Sequence, residues 1–296
     1  MGGTPSAIEG TDDMRLRAAL AVAATTVAMT AVGAFTPADA ATPDWAPVDE
    51  AAIHPGTQTF TQGGQCTANF VFTDAGGDVY IGQAAHCSGT GGQTETNGCD
   101  SGTLPTGTTQ VEIDGATQPG TMVYNSWETM QDVGETDSDT CNYNDFALIR
   151  IDPADHGLVN PSIPVWGGPV GFAEATSLGD EVHSFGNSGL RGGIEQFSPK
   201  YGTSLGTIPS GWSHPVYTVT PGIPGDSGSP FLDSEGGALG VLSTLAIAPI
   251  AGSNNVSDIQ SAVEYMEANT GFDVTLANGT EPFSGGPGGL VTGLFG

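Results

Sequence analysis

The chain has 296 residues, of which 46 are Gly and 20 Pro, with hydrophobic residues at 38%; this suits a single glycine-rich β-domain. The formal net charge is −28, from 33 acidic and 5 basic residues, so nothing can neutralise phosphates and nucleic-acid binding is excluded. The cations are Arg15, Arg17, Arg150, Arg191 and Lys200, and the acidic surface favours solubility and repels anionic partners.

Residues 1–13 are polar and acidic. Met14-Arg15-Leu16-Arg17 then precedes an uncharged Ala/Val/Thr run from Ala18 to Phe35 and the triplet Ala38-Asp39-Ala40. A basic start, an apolar stretch and a small-residue site describe a secretory signal peptide. The expectation is a true start at Met14, cleavage after Ala40 and no membrane association afterwards, because the run is borderline in length for a span and poor in Leu. Residues 41–52 read as a linker or short pro-segment.

Thr67–Phe72 and Asp78–Gly82 are apolar-rich runs flanking Thr73-Asp74-Ala75-Gly76-Gly77, a hairpin signal that leads into His86. Gln110–Ile113 and Thr121–Tyr124 read as short strands. Glu128, Asp132, Glu135, Asp137 and Asp139 lie in a segment read as an acidic loop, a solvated run rather than a calcium site, since the EF-hand spacing is missing. Phe146–Ile151 is a compact apolar strand, and Pro161–Val170 reads as the crossing between two halves. Glu181–Phe185, Gly193–Phe197, Val216–Thr220 and Ala238–Leu245 are expected strands of the second half. Ser257 is the expected cap of a helix with Ile259, Val263 and Met266 at helical spacing, ending at Gly271. Phe283–Gly296 is Gly-rich and reads as a mobile tail too short to span a membrane.

Four cysteines, at 66, 87, 99 and 141, in an exported chain imply two disulfides with three pairings open. No Cys-x-x-Cys spacing is present, so a metal site is discounted.

The chemistry concentrates in Pro224-Gly225-Asp226-Ser227-Gly228-Ser229-Pro230. A structural turn uses Gly and Pro for their backbone angles and has no need of a carboxylate and a hydroxyl between the glycines. A nucleophilic serine does gain, because glycines admit a carbonyl substrate and the Gly225 and Ser227 peptide N–H groups can converge on an oxyanion. Such a serine needs a base and an orienting acid. All five histidines, at 54, 86, 156, 183 and 214, precede Ser227, which excludes the order Ser…Asp…His of an α/β-hydrolase. What fits is His86, in Ala84-Ala85-His86-Cys87, then Asp145, in Asp145-Phe146-Ala147-Leu148, then Ser227.

These three pieces resemble the chymotrypsin-like (trypsin-fold) serine peptidases of the secreted bacterial type. The matching motifs run from Cys66 to about Ser243. The resemblance implies an all-β chain of two six-stranded antiparallel β-barrels with a C-terminal α-helix. The first barrel is expected at 53–160, the second at 161–255, the helix at 256–271 and a Gly-rich tail at 272–296. It implies a secreted, monomeric serine endopeptidase acting on protein or peptide substrates without a cofactor. Ser227 is the nucleophile, His86 the base and Asp145 the acid. Gly225 and Ser227 form the oxyanion hole, Ser243, Thr244 and Leu245 the edge that pairs with substrate, and Pro221 the pocket floor. With no carboxylate there, cleavage after a hydrophobic or small residue is expected. The implied disulfides are Cys66–Cys87 and, from the remaining pair, Cys99–Cys141. The resemblance also implies a cation on Asp226. Of Arg150, Arg191, Lys200 and the mature amine, Arg191 is the expected partner, because Gly186-Asn187-Ser188-Gly189-Leu190-Arg191 resembles the family's loop beside the oxyanion hole; no basic residue between Arg17 and Arg150 offers a trypsin-like activation site. An inactive trypsin-fold binding protein and an esterase are the other readings, which fluorophosphonate labelling and a casein digest separate.

Overall fold

Short runs of β-branched and aromatic residues broken by glycine turns make strands, and among the described residues there are fourteen. The structure is a computed structural model, in which the described residues are 1–2, 43–62, 64–92, 96–245 and 252–290, without the side chains of Glu195 and Leu245. The signal-peptide stretch with Met14 and Ala40, and the end of the tail at 291–296, lie outside the described residues. Residues 1–38 and Asp39–Gly296 are separate units, and the following concerns the second. No helix among the described residues is long and apolar enough to cross a membrane.

The first half contributes β1 (Gln58–Thr61), β2 (Gly64–Thr67), β3 (Val71–Asp74), β4 (Val79–Gln83), β5 (Gln110–Ile113), β6 (Gly120–Asn125) and β7 (Ala147–Arg150). The second contributes β8 (Leu178–Phe185), β9 (Pro199–Leu205), β10 (Ser213–Val219), β11 (Pro230–Leu232), β12 (Ala238–Leu245) and β13 (Asn254–Asp258). The latter six close into a barrel in the order β10-β13-β12-β11-β8-β9. The first half is an antiparallel sheet of eight strands, ordered β14-β3-β4-β7-β6-β5-β1-β2, with β14 (Val274–Leu276) returning from the C-terminal region to pair with β3. The fold class is the expected one, all-β with a closed six-stranded barrel and a helix near the C-terminus; the first half, expected as a six-stranded barrel, is an eight-stranded sheet that β14 joins from the far end of the chain.

Ile81, Val111, Met122 and Ile149 pack inside the first sheet, and Val182, Val216, Phe231 and Val256 inside the barrel. A third cluster draws Phe70 and Phe146 from the first half, Leu232 and Val241 from the second, and Ile259 and Met266 from α3 (Ile259–Thr270). Each fully buried side chain of this kind contributes roughly 1.5–3 kcal/mol, so this shared core is what fixes one half against the other.

Several expectations are revised. The segment read as an acidic loop is helical over α1 (Ser126–Val133) and α2 (Ser138–Tyr143). Its carboxylates hold backbone N–H groups: Glu128 accepts the loop N–H of Thr106 at 2.9 Å, and Asp137 caps α2 by accepting the N–H groups of Asp139 and Thr140. Gly193–Phe197 is not a strand; Ile194 and Phe197 are exposed, and the strand begins at Pro199. The α3 cap is Asp258, whose Oδ1 accepts the Ser261 N–H at 2.6 Å, rather than Ser257.

The tail is held as far as it is described. Phe283 stacks edge-on to His183 at 5.1 Å, Ser284 N–H donates to the Trp166 carbonyl at 2.7 Å, and Gly286 N–H donates to His183 Nε2 at 2.8 Å. Its glycines are what allow this contact, because a Cβ on Gly289 would lie 2.3 Å from the Trp166 ring. His183 must be neutral to accept from Gly286 while donating from Nδ1 to the Asp233 carbonyl at 3.3 Å. Burial pushes its pKa below 6.5, against the pull of the Asp233 carbonyl, Glu181 and Asp233. A folded pKa below the unfolded one gives stability that is complete above pH 6.5 and is lost as pH falls through the folded value. Hydrogen exchange at Gly286, corrected for its intrinsic rate, should therefore rise between about pH 7 and about pH 5. In His183→Gln, which can still accept but cannot titrate, that pH dependence should flatten.

Candidate active site

β4 is buried along its length and ends in a 3-10 turn, Ala85–Ser88, that carries His86. Asn125 pins this turn. Its Nδ2 donates to the Ala85 carbonyl at 3.2 Å and to Ser88 Oγ at 2.8 Å, while its Oδ1 accepts the Trp127 N–H at 2.8 Å and so caps α1. Asp145 stands at the entrance to β7 and is 3% exposed. Its Oδ1 accepts the His86 peptide N–H at 2.9 Å; its Oδ2 accepts His86 Nδ1–H at 2.7 Å and Ser243 Oγ–H at 2.6 Å.

An ionised Asp145 requires the proton on Nδ1, which leaves Nε2 of a neutral His86 as an acceptor. Burial alone would lower the His86 pKa, but the Asp145 charge and hydrogen bond outweigh it and hold it above 6.5. For Asp145, burial pushes upward, and the His86 charge with the bonds from His86 and Ser243 brings the carboxyl below its usual range.

The Ser227 loop is held against the first half through its backbone. Its carbonyl accepts the Thr67 N–H at 2.8 Å, and the next residue, Gly228, donates to the Leu242 carbonyl at 2.7 Å. Gly228 has φ +87°, and a Cβ there would lie 2.4 Å from the Thr67 carbonyl oxygen and 2.9 Å from the Ala84 nitrogen. Cys66, before Thr67, is disulfide-bonded to Cys87, beside His86; the second disulfide joins Cys99 to Cys141. Leu242 precedes Ser243, the residue on Asp145.

The loop before Ser227 is held from beneath. Asp226 is wholly buried and accepts Ser188 N–H at 3.0 Å, Ile223 N–H at 3.1 Å, the Arg191 guanidinium, and Lys200 Nζ at 3.0 Å. Ser188 Oγ donates to the Pro224 carbonyl at 2.5 Å. Across a trans peptide the N–H opposes the carbonyl, so this bond aims the Gly225 N–H away from Ser188. The Gly225 carbonyl is taken by Thr67 Oγ1 at 2.8 Å and Gln65 Nε2 at 3.0 Å. Neither the Gly225 nor the Ser227 N–H donates within the hydrogen bonds of the described residues.

Of the expected substrate edge, Ser243 turns its hydroxyl to Asp145, and Thr244 presents its carbonyl to Asn254 Nδ2 at 3.3 Å. The Leu245 side chain is not described, and Pro221 is exposed. Asn254 Oδ1 also accepts the Gly222 N–H at 2.8 Å, so this buried amide joins the loop that precedes Ser227 to the end of β12. Arg191 is on Asp226 as expected, and Lys200, named only as another candidate for that place, is there as well; Asn125, Ser188 and Asn254 had no role in the sequence reading, because polar residues of this kind carry no flanking pattern. Glu135 Oε1 and Asp137 Oδ1 accept backbone N–H groups, and Glu135 Oε2 accepts the Tyr265 hydroxyl at 3.1 Å. Among the described residues the one grouping of three metal-type ligands is Cys66, His86 and Cys87, with both sulfurs in the disulfide.

The chain is similar to chymotrypsin-like serine proteases. Solved structures that it resembles include Thermobifida fusca Protease A (18% identity, TM-score 0.49, 77% of this chain and 100% of that one). Nocardiopsis Protease follows (18% identity, TM-score 0.44, 76% and 98%), as does Cellulomonas bogoriensis chymotrypsin (17% identity, TM-score 0.43, 77% and 98%). No family model matches the chain, and no curated protein does.

The buried ionic group leaves no room for a side chain opposite it: a Cβ on Gly186 would lie 2.6 Å from Asp226 Oδ1 and 2.7 Å from Lys200 Cε. Gly186→Ala should destabilise the fold by about 1–3 kcal/mol in chemical denaturation, whereas Gly157→Ala, which meets nothing within 4 Å, should be near neutral.

Proposed function

We propose that the chain is a secreted serine endopeptidase. The observation that carries this reading is the bond set on Asp145, which presents a neutral His86 with a free Nε2 beside a serine loop whose two N–H groups are unengaged. Ser227 Oγ attacks the scissile carbonyl; His86 takes the proton and returns it to the leaving amine; Asp145 holds the Nδ1–H tautomer and stabilises the imidazolium. The Gly225 and Ser227 N–H groups receive the oxyanion. Substrate backbone pairs with the end of β12 at Ser243–Leu245. With no carboxylate at Pro221 and the Asn254 amide spanning Gly222 and Thr244, the residue before the cleaved bond is small or hydrophobic. Two disulfides suit an oxidising, extracellular setting, in line with the Met14–Ala40 signal reading, and the enzyme acts as a monomer on peptide or protein.

Purified mature protein should be labelled by a fluorophosphonate at Ser227 and should digest casein. Ser227→Ala and His86→Ala should each abolish turnover with the fold intact by circular dichroism, since triad members act as a unit. Turnover by a folded Ser227→Ala protein would refute the assignment; labelling without casein digestion would leave an esterase.

Two further outcomes follow from the same geometry. Because His86 must be neutral to accept a proton and its pKa is raised, the acid limb of kcat/KM should have its midpoint above 6.5. Arg191→Ala should lower turnover on the order of 10²–10³-fold, the effect of a damaged oxyanion hole.

A further inference from the structure

Asp226 receives two cations where neutralisation needs one. Arg191 reaches it from the turn Gly189–Arg191, and Lys200 from β9. Lys200 is wholly buried, and its Nζ also donates to the Thr220 carbonyl at 3.2 Å. Thr220 opens the loop that ends at Ser227, and it does so in the left-handed region, at φ +58°, where a β-branched residue is strained. One lysine therefore ties the first residue of that loop to the residue beside the nucleophile.

Stability alone does not call for this arrangement. A buried ammonium is expensive, and Asp226 would still have Arg191, Ser188 N–H and Ile223 N–H without it. We propose that Lys200 is a positioning residue for acyl transfer, closing the Thr220–Asp226 loop on itself so that the Gly225 and Ser227 N–H groups stay convergent. The proposal rests on the serine-peptidase reading. Arg191 and Lys200 then divide the work: Arg191 neutralises the carboxylate, and Lys200 fixes where the loop begins.

The charged groups facing Lys200 Nζ are Asp226 from the nucleophile loop and Arg191 from the turn, while Thr220 offers a carbonyl. Burial lowers the Lys200 pKa to about 8, Asp226 opposing and Arg191 assisting the shift. The folded value lies below the ordinary 10.5, so the charged lysine weakens the fold fully below about pH 8, and the penalty is relieved as pH rises toward 10.5. Stability and activity should therefore respond to its removal in opposite directions.

The test compares wild type with Lys200→Met, which fills similar volume without charge. Fluorophosphonate labelling rate at Ser227, peptide turnover and melting temperature are followed from about pH 6 to about pH 10. In Lys200→Met, labelling and kcat should fall about tenfold or more at neutral pH while the melting temperature is unchanged or higher. The wild-type labelling rate should show an alkaline limb centred near 8, with circular dichroism constant, and that limb should be absent from the variant. Equal labelling rates with the same alkaline limb in both proteins would overturn the proposal and leave the peptidase reading intact. Should Lys200→Met fail to fold, the wild-type profile decides: a labelling rate that does not fall across the pH at which Lys200 loses its charge overturns it. If wild type itself is never labelled at Ser227, the peptidase reading fails first.

Discussion

Everything at the centre of this molecule depends on a carboxylate that has left water. Asp145 is 3% exposed, and a charge so placed persists only if its lone pairs are filled by good donors. The donors come from both halves: the His86 imidazole and peptide N–H from the first sheet, and the Ser243 hydroxyl from the barrel. Satisfying one buried charge thus brings the two halves into register at the point where the chemistry is proposed. The Phe70–Met266 core supplies the adhesion, and Asp145 supplies the alignment.

A second path reaches the same point through the backbone. Ser227 carbonyl to Thr67 N–H, Cys66 to Cys87 through sulfur, and Cys87 to His86 through the chain make a short covalent and hydrogen-bonded route from Ser227 to His86. Gly228 is the condition for it, because a side chain there would strike the Thr67 carbonyl. Gly228 therefore has a packing reason of its own: the loop lies against the other half of the molecule.

The legible part of this structure is the part written in local pattern. His86, Asp145 and Ser227 each sit in a short motif, the four cysteines form a closed set, and α3 shows its apolar stripe of Ile259, Val263 and Met266. What escaped is non-local or disguised by composition. The carboxylates of 128–139 look like a solvated run, yet three of them satisfy helix and loop N–H groups, a use that depends on where the backbone turns. Asn254 is a single polar residue in an ordinary strand that only the tertiary fold brings to Gly222, and Lys200, a candidate for Asp226 by scarcity of cations, gave no sign that it would join Arg191 there rather than replace it. The tail reads as mobile from its glycines, although Phe283 and Leu290 pack against the shared core.

The charge distribution has an unusual consequence. Three basic side chains lie beyond the proposed signal segment, and two of them, Arg191 and Lys200, are committed to one buried carboxylate. Arg150, near Asp78 at 3.7 Å and half exposed, is the remaining one. The surface is therefore acidic with almost no internal compensation, a state in which self-repulsion opposes compaction and is screened by salt. The burial of two cations beside Asp226 makes this imbalance worse at the surface and creates local positive excess inside. Such an arrangement is hard to derive from stability. It follows naturally if the geometry of the Gly225–Ser227 backbone is what those two cations serve.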